Sequence, residues 1–133
     1  MKIKGVHHIA VAVDDIEKYS KIFKTLFGID AGDIEPNKAN SVSLSFVDFN
    51  NCEVEFLEPL DEKSSIAKFL AKRGPGIHHF CVQVEDIYQA LKELKEKNIE
   101  LIDEVPRQGA GGSLIAFIHP KSAGGILIEL KQD

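Results

Sequence analysis

The chain has 133 residues, enough for one domain with its own core, and its 44% hydrophobic and 28% charged content is ordinary for a folded protein in water. A formal net charge of -5 with no basic stripe argues against nucleic acid as the main partner, while leaving room for a local basic pocket. No apolar run is long enough for a membrane span, no signal or transit peptide precedes the first predicted strand, and Cys52 and Cys81 make no disulfide framework, so a cytoplasmic protein with reduced thiols is expected.

From Val6 to Val13 the residues alternate. Ile9, Val11 and Val13 point one way, and His8, Ala10 and Ala12 the other, which is the period of a strand. The β-branched face suits a helix packed on it, whereas the small face carries the histidine. Asp14-Asp15 then offers an N-cap to a helix with Ile16, Tyr19, Phe23, Leu26 and Phe27 at amphipathic spacing, and Gly28 stops it. Ile29 to Asn40 reads as a short strand followed by a loop. Val42, Leu44 and Phe46 alternate with Ser43, Ser45 and Val47 in a strand, Asn50-Asn51 turns the chain, and Cys52 to Leu57 returns. After Pro59 a short helix connects, with Ile66, Phe69 and Leu70 on one face, and Gly74-Pro75-Gly76 punctuates the middle of the chain.

There the beginning returns. Gly76-Ile77-His78-His79-Phe80-Cys81-Val82-Gln83-Val84-Glu85-Asp86-Ile87 matches Gly5-Val6-His7-His8-Ile9-Ala10-Val11-Ala12-Val13-Asp14-Asp15-Ile16 in its Gly, His-His, two Val and Asp-Ile. Two copies at this offset fit a duplicated module rather than a solenoid. The second half then reads as helix 86–97, a strand from Ile99 to Val105, a glycine loop at Gly109-Gly111-Gly112, a strand from Leu114 to Ile118, a turn at His119-Pro120-Lys121 and a strand from Ile126 to Leu130. The fold class is therefore α+β: a single domain, 1–133, of tandem βαβββ modules forming an eight-stranded cleft with helices outside. Module one covers about 5–60, the connecting helix about 62–73, and module two about 76–131.

Duplication puts Glu129 where the first half has Glu55, and His79 where it has His8. Acids inside apolar strands, Glu55 beside Phe56-Leu57 and Glu129 among Ile126, Leu127, Ile128 and Leu130, are costly to bury unless paired or metal-bound. Glu53 shares the strand face of Glu55 and reads as a rim residue. Two histidines and two acids at matched places point to a metal site of His8, Glu55, His79 and Glu129. Two imidazoles and two carboxylates compensate one divalent cation and leave two cis positions open for water or a chelating substrate. Nitrogen and oxygen donors without thiolate suit Co²⁺, Mn²⁺, Ni²⁺, Fe²⁺ or Zn²⁺, and availability then decides among them. Such an open site polarises a carbonyl, and a carboxylate at its edge removes a proton.

These paired modules with a His-Glu-His-Glu set resemble the vicinal oxygen chelate superfamily, which includes glyoxalase I, extradiol dioxygenases and antibiotic-binding resistance proteins. Within it the chain is most similar to the methylmalonyl-CoA epimerases. The resemblance runs over essentially the whole chain. It is carried by Leu57-Glu58-Pro59-Leu60 with Ser65 to Leu70, by Gly76-Ile77-His78-His79, by Gly109-Ala110-Gly111-Gly112, and by the run from Phe117 to Leu130. It implies that His8, Glu55, His79 and Glu129 hold the metal, with the second histidine of each pair as the ligand; strand alternation, which turns His7 and His78 to the helix side, agrees. It implies an isomerase that interconverts (2R)- and (2S)-methylmalonyl-CoA through a metal-stabilised enolate, with Glu129 as base and Glu55 as second acid/base. Glu55 is glutamine in some relatives, so its charge is not a strict requirement of the fold. Where some relatives offer an acid on the preceding strand, this chain has Ser43 and Ser45. Lys121, Ser122, Gly111 and Gly112 are candidates for contacting the substrate carboxylate or the CoA phosphates, although turn geometry explains them equally well. The partner expected is an acyl-CoA thioester, with no nucleic acid and no membrane, in a cytoplasmic homodimer. The alternatives are a glyoxalase I acting on a glutathione hemithioacetal, or a non-enzymatic small-molecule-binding protein of the same fold; a fourth ligand counts against an extradiol dioxygenase.

Overall fold

Alternation and capping account for most elements of the computed structural model, which describes residues 1–133. In chain order these are β1 (Ile3–Ala12), α1 (Ile16–Phe27), β2 (Glu35–Asn37), β3 (Val42–Asp48), β4 (Glu53–Pro59), α2 (Ser65–Arg73), β5 (Gly76–Val84), α3 (Ile87–Glu96), β6 (Arg107–Gln108), β7 (Leu114–Ile118) and β8 (Ile128–Gln132). The order βαβββ occurs twice, with α2 between, and the hydrogen-bonded strand order is β2-β3-β4-β1-β5-β8-β7-β6. No helix is long and apolar enough to cross a membrane. The chain divides into two compact units, Ile9–His78 and Met1–His8 with His79–Asp133, so that β1 and β5 each contribute to both.

In the unit Ile9–His78, Asp15 caps α1: its carboxylate accepts from the backbone N–H groups of Glu17 and Lys18, and Gly28 ends the helix at φ 70. Helix α1 lays Ile16, Tyr19 and Phe23 on Val13, Val47, Val54 and Phe56. Phe56 is fully buried there, worth roughly 1.5–3 kcal/mol relative to an exposed ring. The small face of β1 is not open along its length. Ala10 and Ala12, both at 0% exposure, pack with Val42, Leu44, Leu57 and Ile66 of α2. Small residues let that helix approach closely. The β3–β4 hairpin is antiparallel with Phe46 opposite Glu55, and Asn50 takes the left-handed conformation at its turn.

In the other unit α3 packs Ile87, Ala90 and Leu91 on Val84, Ala116, Ile118 and Leu130. Strand β5 runs parallel to β8 and pairs Cys81 with Glu129; β7 runs antiparallel to β8 and pairs Phe117 with Glu129.

Three expectations need correction. The strand expected from Ile126 to Leu130 forms two residues later, at Ile128–Gln132, after Gly124 and Gly125 at φ 66 and 89 carry the chain round. The short strand between Ile29 and Asn40 forms only at Glu35–Asn37, where it pairs with Leu44, Ser43 and Val42. Pro36 is tolerated because β2 is an edge strand. The strand expected from Ile99 to Val105 reduces to one bridge, Leu101 with Ile118, and β6 forms later at Arg107–Gln108. The cause is Asp103, whose carboxylate accepts from Phe117 N–H at 2.9 Å and so occupies a donor that a continued ladder would use.

Candidate metal centre

Three strands of one unit each deliver a donor to the same buried point. His8 comes from β1, His79 from β5 and Glu129 from β8, and they are 6%, 6% and 7% exposed. His8 Nε2 lies 3.1 Å and His79 Nε2 3.0 Å from the same oxygen, Glu129 Oε1. The two imidazole rings stand edge to face with centroids 5.7 Å apart. Strand phase explains the convergence. His79 precedes Cys81 by two residues and so shares its face, and Cys81 is the register partner of Glu129. Phe117, the other partner of Glu129, sits edge-on against His79 with centroids at 5.2 Å and walls that side.

Electrostatics suit the cluster to a cation. Burial pushes the Glu129 carboxyl up, and is the largest single influence on it. The His79 hydrogen bond and the nearness of both imidazoles outweigh it and bring the group down to about 2. Glu129 is thus an anion at neutral pH, held out of water by partners that carry positive charge only when protonated.

A divalent ion fits the same place. The ligand atoms of His8, His79 and Glu129 all lie within 4.8 Å of one another. Separations of 3.0 and 3.1 Å are those of neighbouring ligands at roughly a right angle on one ion with bonds of about 2.0–2.2 Å. Two imidazoles and a carboxylate are borderline donors suited to a first-row divalent ion.

Glu55, the fourth residue read from the sequence, stands at the middle of β4 in the other unit, opposite Phe46 and 8% exposed. Its neighbours Val54, Phe56 and Leu57 are all buried, so the carboxylate is tolerated there only with partners. Glu53 is only partly buried, at the start of the same strand.

The substrate-contact candidates lie on turns of the unit that holds the three donors. Gly111 and Gly112 have φ of 66 and 78, within the short 3₁₀ turn Ala110–Gly112. Lys121 has a side chain 77% exposed, 3.9 Å from Glu100. The Ser122 hydroxyl accepts from Glu100 N–H at 2.9 Å, a turn role that leaves its own proton free to donate. Ser45 donates to the Gly32 carbonyl at 2.7 Å and serves as a staple.

Four residues around the cluster escaped the sequence reading. Phe117 and Cys81 flank Glu129 in register, and pairing the strands in order would have found them. Lys131 follows Glu129 by two residues on the same face and is 9% exposed, with its Nζ 2.9 Å from Asp133, which also accepts from Gln83 at 2.7 Å. His7 was expected to turn away from His8, yet its Nδ1 lies 2.8 Å from His8 Nδ1. Alternation fixes where a Cβ starts, and two rotatable bonds decide where the ring ends.

Known proteins share this sequence pattern and fold. A model of the Glyoxalase/Bleomycin resistance protein/Dioxygenase superfamily matches residues 7–117. The mitochondrial methylmalonyl-CoA epimerase of Bos taurus is 41% identical over 128 residues, 96% of this chain and 73% of that protein. The ethylmalonyl-CoA/methylmalonyl-CoA epimerase of Cereibacter sphaeroides is 37% identical over 132 residues, 98% of each chain. The crystal structure of methylmalonyl-CoA epimerase from Mycobacterium tuberculosis superposes with a TM-score of 0.90 at 34% identity, covering 98% of this chain and 88% of that one.

Proposed function

We infer function from this premise: the chain belongs to the Glyoxalase/Bleomycin resistance protein/Dioxygenase superfamily, and relatives that match it almost end to end are methylmalonyl-CoA epimerases. The chain is an isomerase that interconverts the (2R) and (2S) forms of methylmalonyl-CoA. The observation that carries the reading at the level of chemistry is the buried convergence of His8 Nε2 and His79 Nε2 on Glu129 Oε1.

We propose that His8, His79, Glu129 and Glu55 hold one divalent ion per chain, Co²⁺ in the first place, with Mn²⁺, Ni²⁺ or Zn²⁺ as alternatives. For Glu55 the support is its burial, matched to that of Glu129, and its equivalent place in the duplicated module. When bound, the ion supplies Lewis acidity to the carboxylate and thioester oxygens of the substrate.

The proton chemistry belongs to the carboxylates. The hydrogen at C2 lies between a carboxylate and a thioester, so its removal leaves an electron pair delocalised onto the thioester oxygen. Glu129 is ionised at neutral pH and has its Oε1 engaged by both imidazoles. Oε2 is therefore the atom we assign to accept the proton. Inversion requires the return of a proton on the opposite face; Glu55, entering the cycle as the neutral acid, is the proposed donor, and it regains a proton from water as Glu129 releases one. Lys121, Ser122 and the Gly111–Gly112 backbone are proposed to meet the substrate carboxylate or the CoA phosphates, on the strength of an exposed ammonium, a free hydroxyl proton and open glycine backbone. Cys52 and Cys81, neither of them in a disulfide, fit a reducing, cytoplasmic setting. Exposed Ile22, Leu26 and Phe27 on α1 offer an apolar surface for a homodimer.

Solvent exchange tests the reading. Protein loaded with Co²⁺ should exchange the C2 hydrogen of methylmalonyl-CoA for deuterium, with inversion accompanying exchange. Glu129→Gln keeps an oxygen donor but removes the proton acceptor, so exchange should fall by about 10²-fold or more while some metal remains bound. No exchange by the loaded wild-type protein overturns the assignment, and turnover of methylglyoxal with glutathione would put glyoxalase I in its place.

A further inference from the structure

We propose that His7 is a positioning residue for His8: accepting a hydrogen bond from His8 Nδ1 at its own Nδ1, it holds the His8 ring in the tautomer whose Nε2 lone pair faces Glu129 and His79. The two Nδ1 atoms are 2.8 Å apart and the rings meet edge to face with centroids at 5.1 Å. One of the two nitrogens must therefore donate and the other accept.

The direction matters because of what lies on the far side of the ring, and cation binding requires His8 to be the donor. His8 Nε2 is 3.1 Å from Glu129 Oε1, a carboxylate oxygen that attracts any available N–H. A neutral His8 left to that pull carries its proton on Nε2, and a protonated Nε2 cannot bind a cation. His7 offers a competing acceptor on Nδ1. With the proton there, Nε2 presents a lone pair to the point where Glu129 and His79 converge, which is the state that binds an ion. His7 then has its own proton on Nε2, away from the cluster.

The matching histidine of the repeat is used differently. His78 rests edge-on against Phe69, with ring centroids 5.0 Å apart. The doubled His-His motif thus supplies a hydrogen-bonding neighbour to His8 in one copy and an aromatic packing residue in the other. Cys81 also lies near the two rings: the ligand atoms of His7, His8 and Cys81 fall within 4.8 Å of one another. A 2.8 Å bond between the imidazoles commits both Nδ1 atoms to each other rather than to a second ion.

The inference rests on the metal site proposed above, and the experiment separates the two. Co²⁺ affinity is measured by competition with a chromophoric chelator for wild type, His7→Phe, His7→Asn and His79→Ala, alongside thermal melts of each metal-free protein. His7→Phe keeps a ring and loses the acceptor, so affinity should fall by about 10–100-fold with the metal-free melting temperature unchanged. His7→Asn restores an acceptor oxygen and should recover most of the loss. In Zn²⁺-loaded wild-type protein, nitrogen NMR should show a proton on His8 Nδ1 coupled across the hydrogen bond to His7 Nδ1; this measurement decides the matter if His7→Phe does not fold. Wild-type affinity in His7→Phe with loss in His79→Ala overturns the role of His7 alone. Wild-type affinity in both overturns the metal site as well. Equal loss in His7→Phe and His7→Asn, absence of the coupling, or a thiolate-to-cobalt absorption band that Cys81→Ser abolishes would each overturn the proposal.

Discussion

Glu129 has been taken out of water and given two imidazoles on one oxygen, so its ionisation depends on partners rather than solvent. Deleting a partner acts twice. His79→Ala removes a proposed metal donor and also strips a hydrogen bond from a buried anion. Dialysis followed by metal analysis should find that the variant has lost most of its Co²⁺, and urea unfolding of the metal-free form should show a loss of about 1–3 kcal/mol. Unchanged metal content in both His8→Ala and His79→Ala would mean that these histidines only pack. His8, His79 and Glu129 were legible in the sequence because an acid in an apolar strand and a repeated His-His pair are each hard to explain alone, and the duplication ties them together. His7 was not legible, since alternation assigns faces to Cβ atoms and says nothing of a ring folding back to its neighbour. Phe117 and Cys81 became visible only with the strand register.

At the scale of the element, the ends of α1 are set by two residues, and only one of two adjacent aspartates takes part. Asp15 accepts from the N–H groups of Glu17 and Lys18, while the Asp14 side chain is exposed. Asp15→Ala should therefore cost about 1 kcal/mol in urea unfolding, and Asp14→Ala should stay within about 0.5 kcal/mol of wild type. Equal effects at the two positions would mean that charge near the helix N-terminus matters rather than the cap. Helices were legible because caps and a 3.6-residue period mark them from inside the chain. The stretch from Ile99 to Val105 misled for the opposite reason. Ile99 and Leu101 do pack on the core, as their spacing indicates, yet a ladder also needs free donors on the neighbouring strand. Asp103 takes the N–H of Phe117, so an apolar period is present without the strand it normally signals. The small face of β1 carried a similar ambiguity: Ala10 and Ala12 could line a site or admit a helix, and Ile66 of α2 fills that place.

For the molecule as a whole, the donors come from β1, β5 and β8, which are far apart in the chain and meet only in the folded state. An ion bound there binds the native protein and not the unfolded one, so binding energy adds directly to stability. At free Co²⁺ about 100 times the dissociation constant, the gain is about 2.7 kcal/mol. A chain of this length converts each kcal/mol into about 4 °C of melting temperature, so loading should raise the midpoint by roughly 10 °C, and a chelator should reverse it. The shift should be lost almost entirely in Glu129→Ala and in His79→Ala, because each removes one of the three donors that meet at one point. Glu55→Ala distinguishes two arrangements. If Glu55 is the fourth ligand, its loss should reduce the shift while His8, His79 and Glu129 still hold the ion more weakly. A full shift in Glu55→Ala, with exchange at C2 nonetheless slowed, would remove Glu55 from the metal and leave it only the proton-donor role.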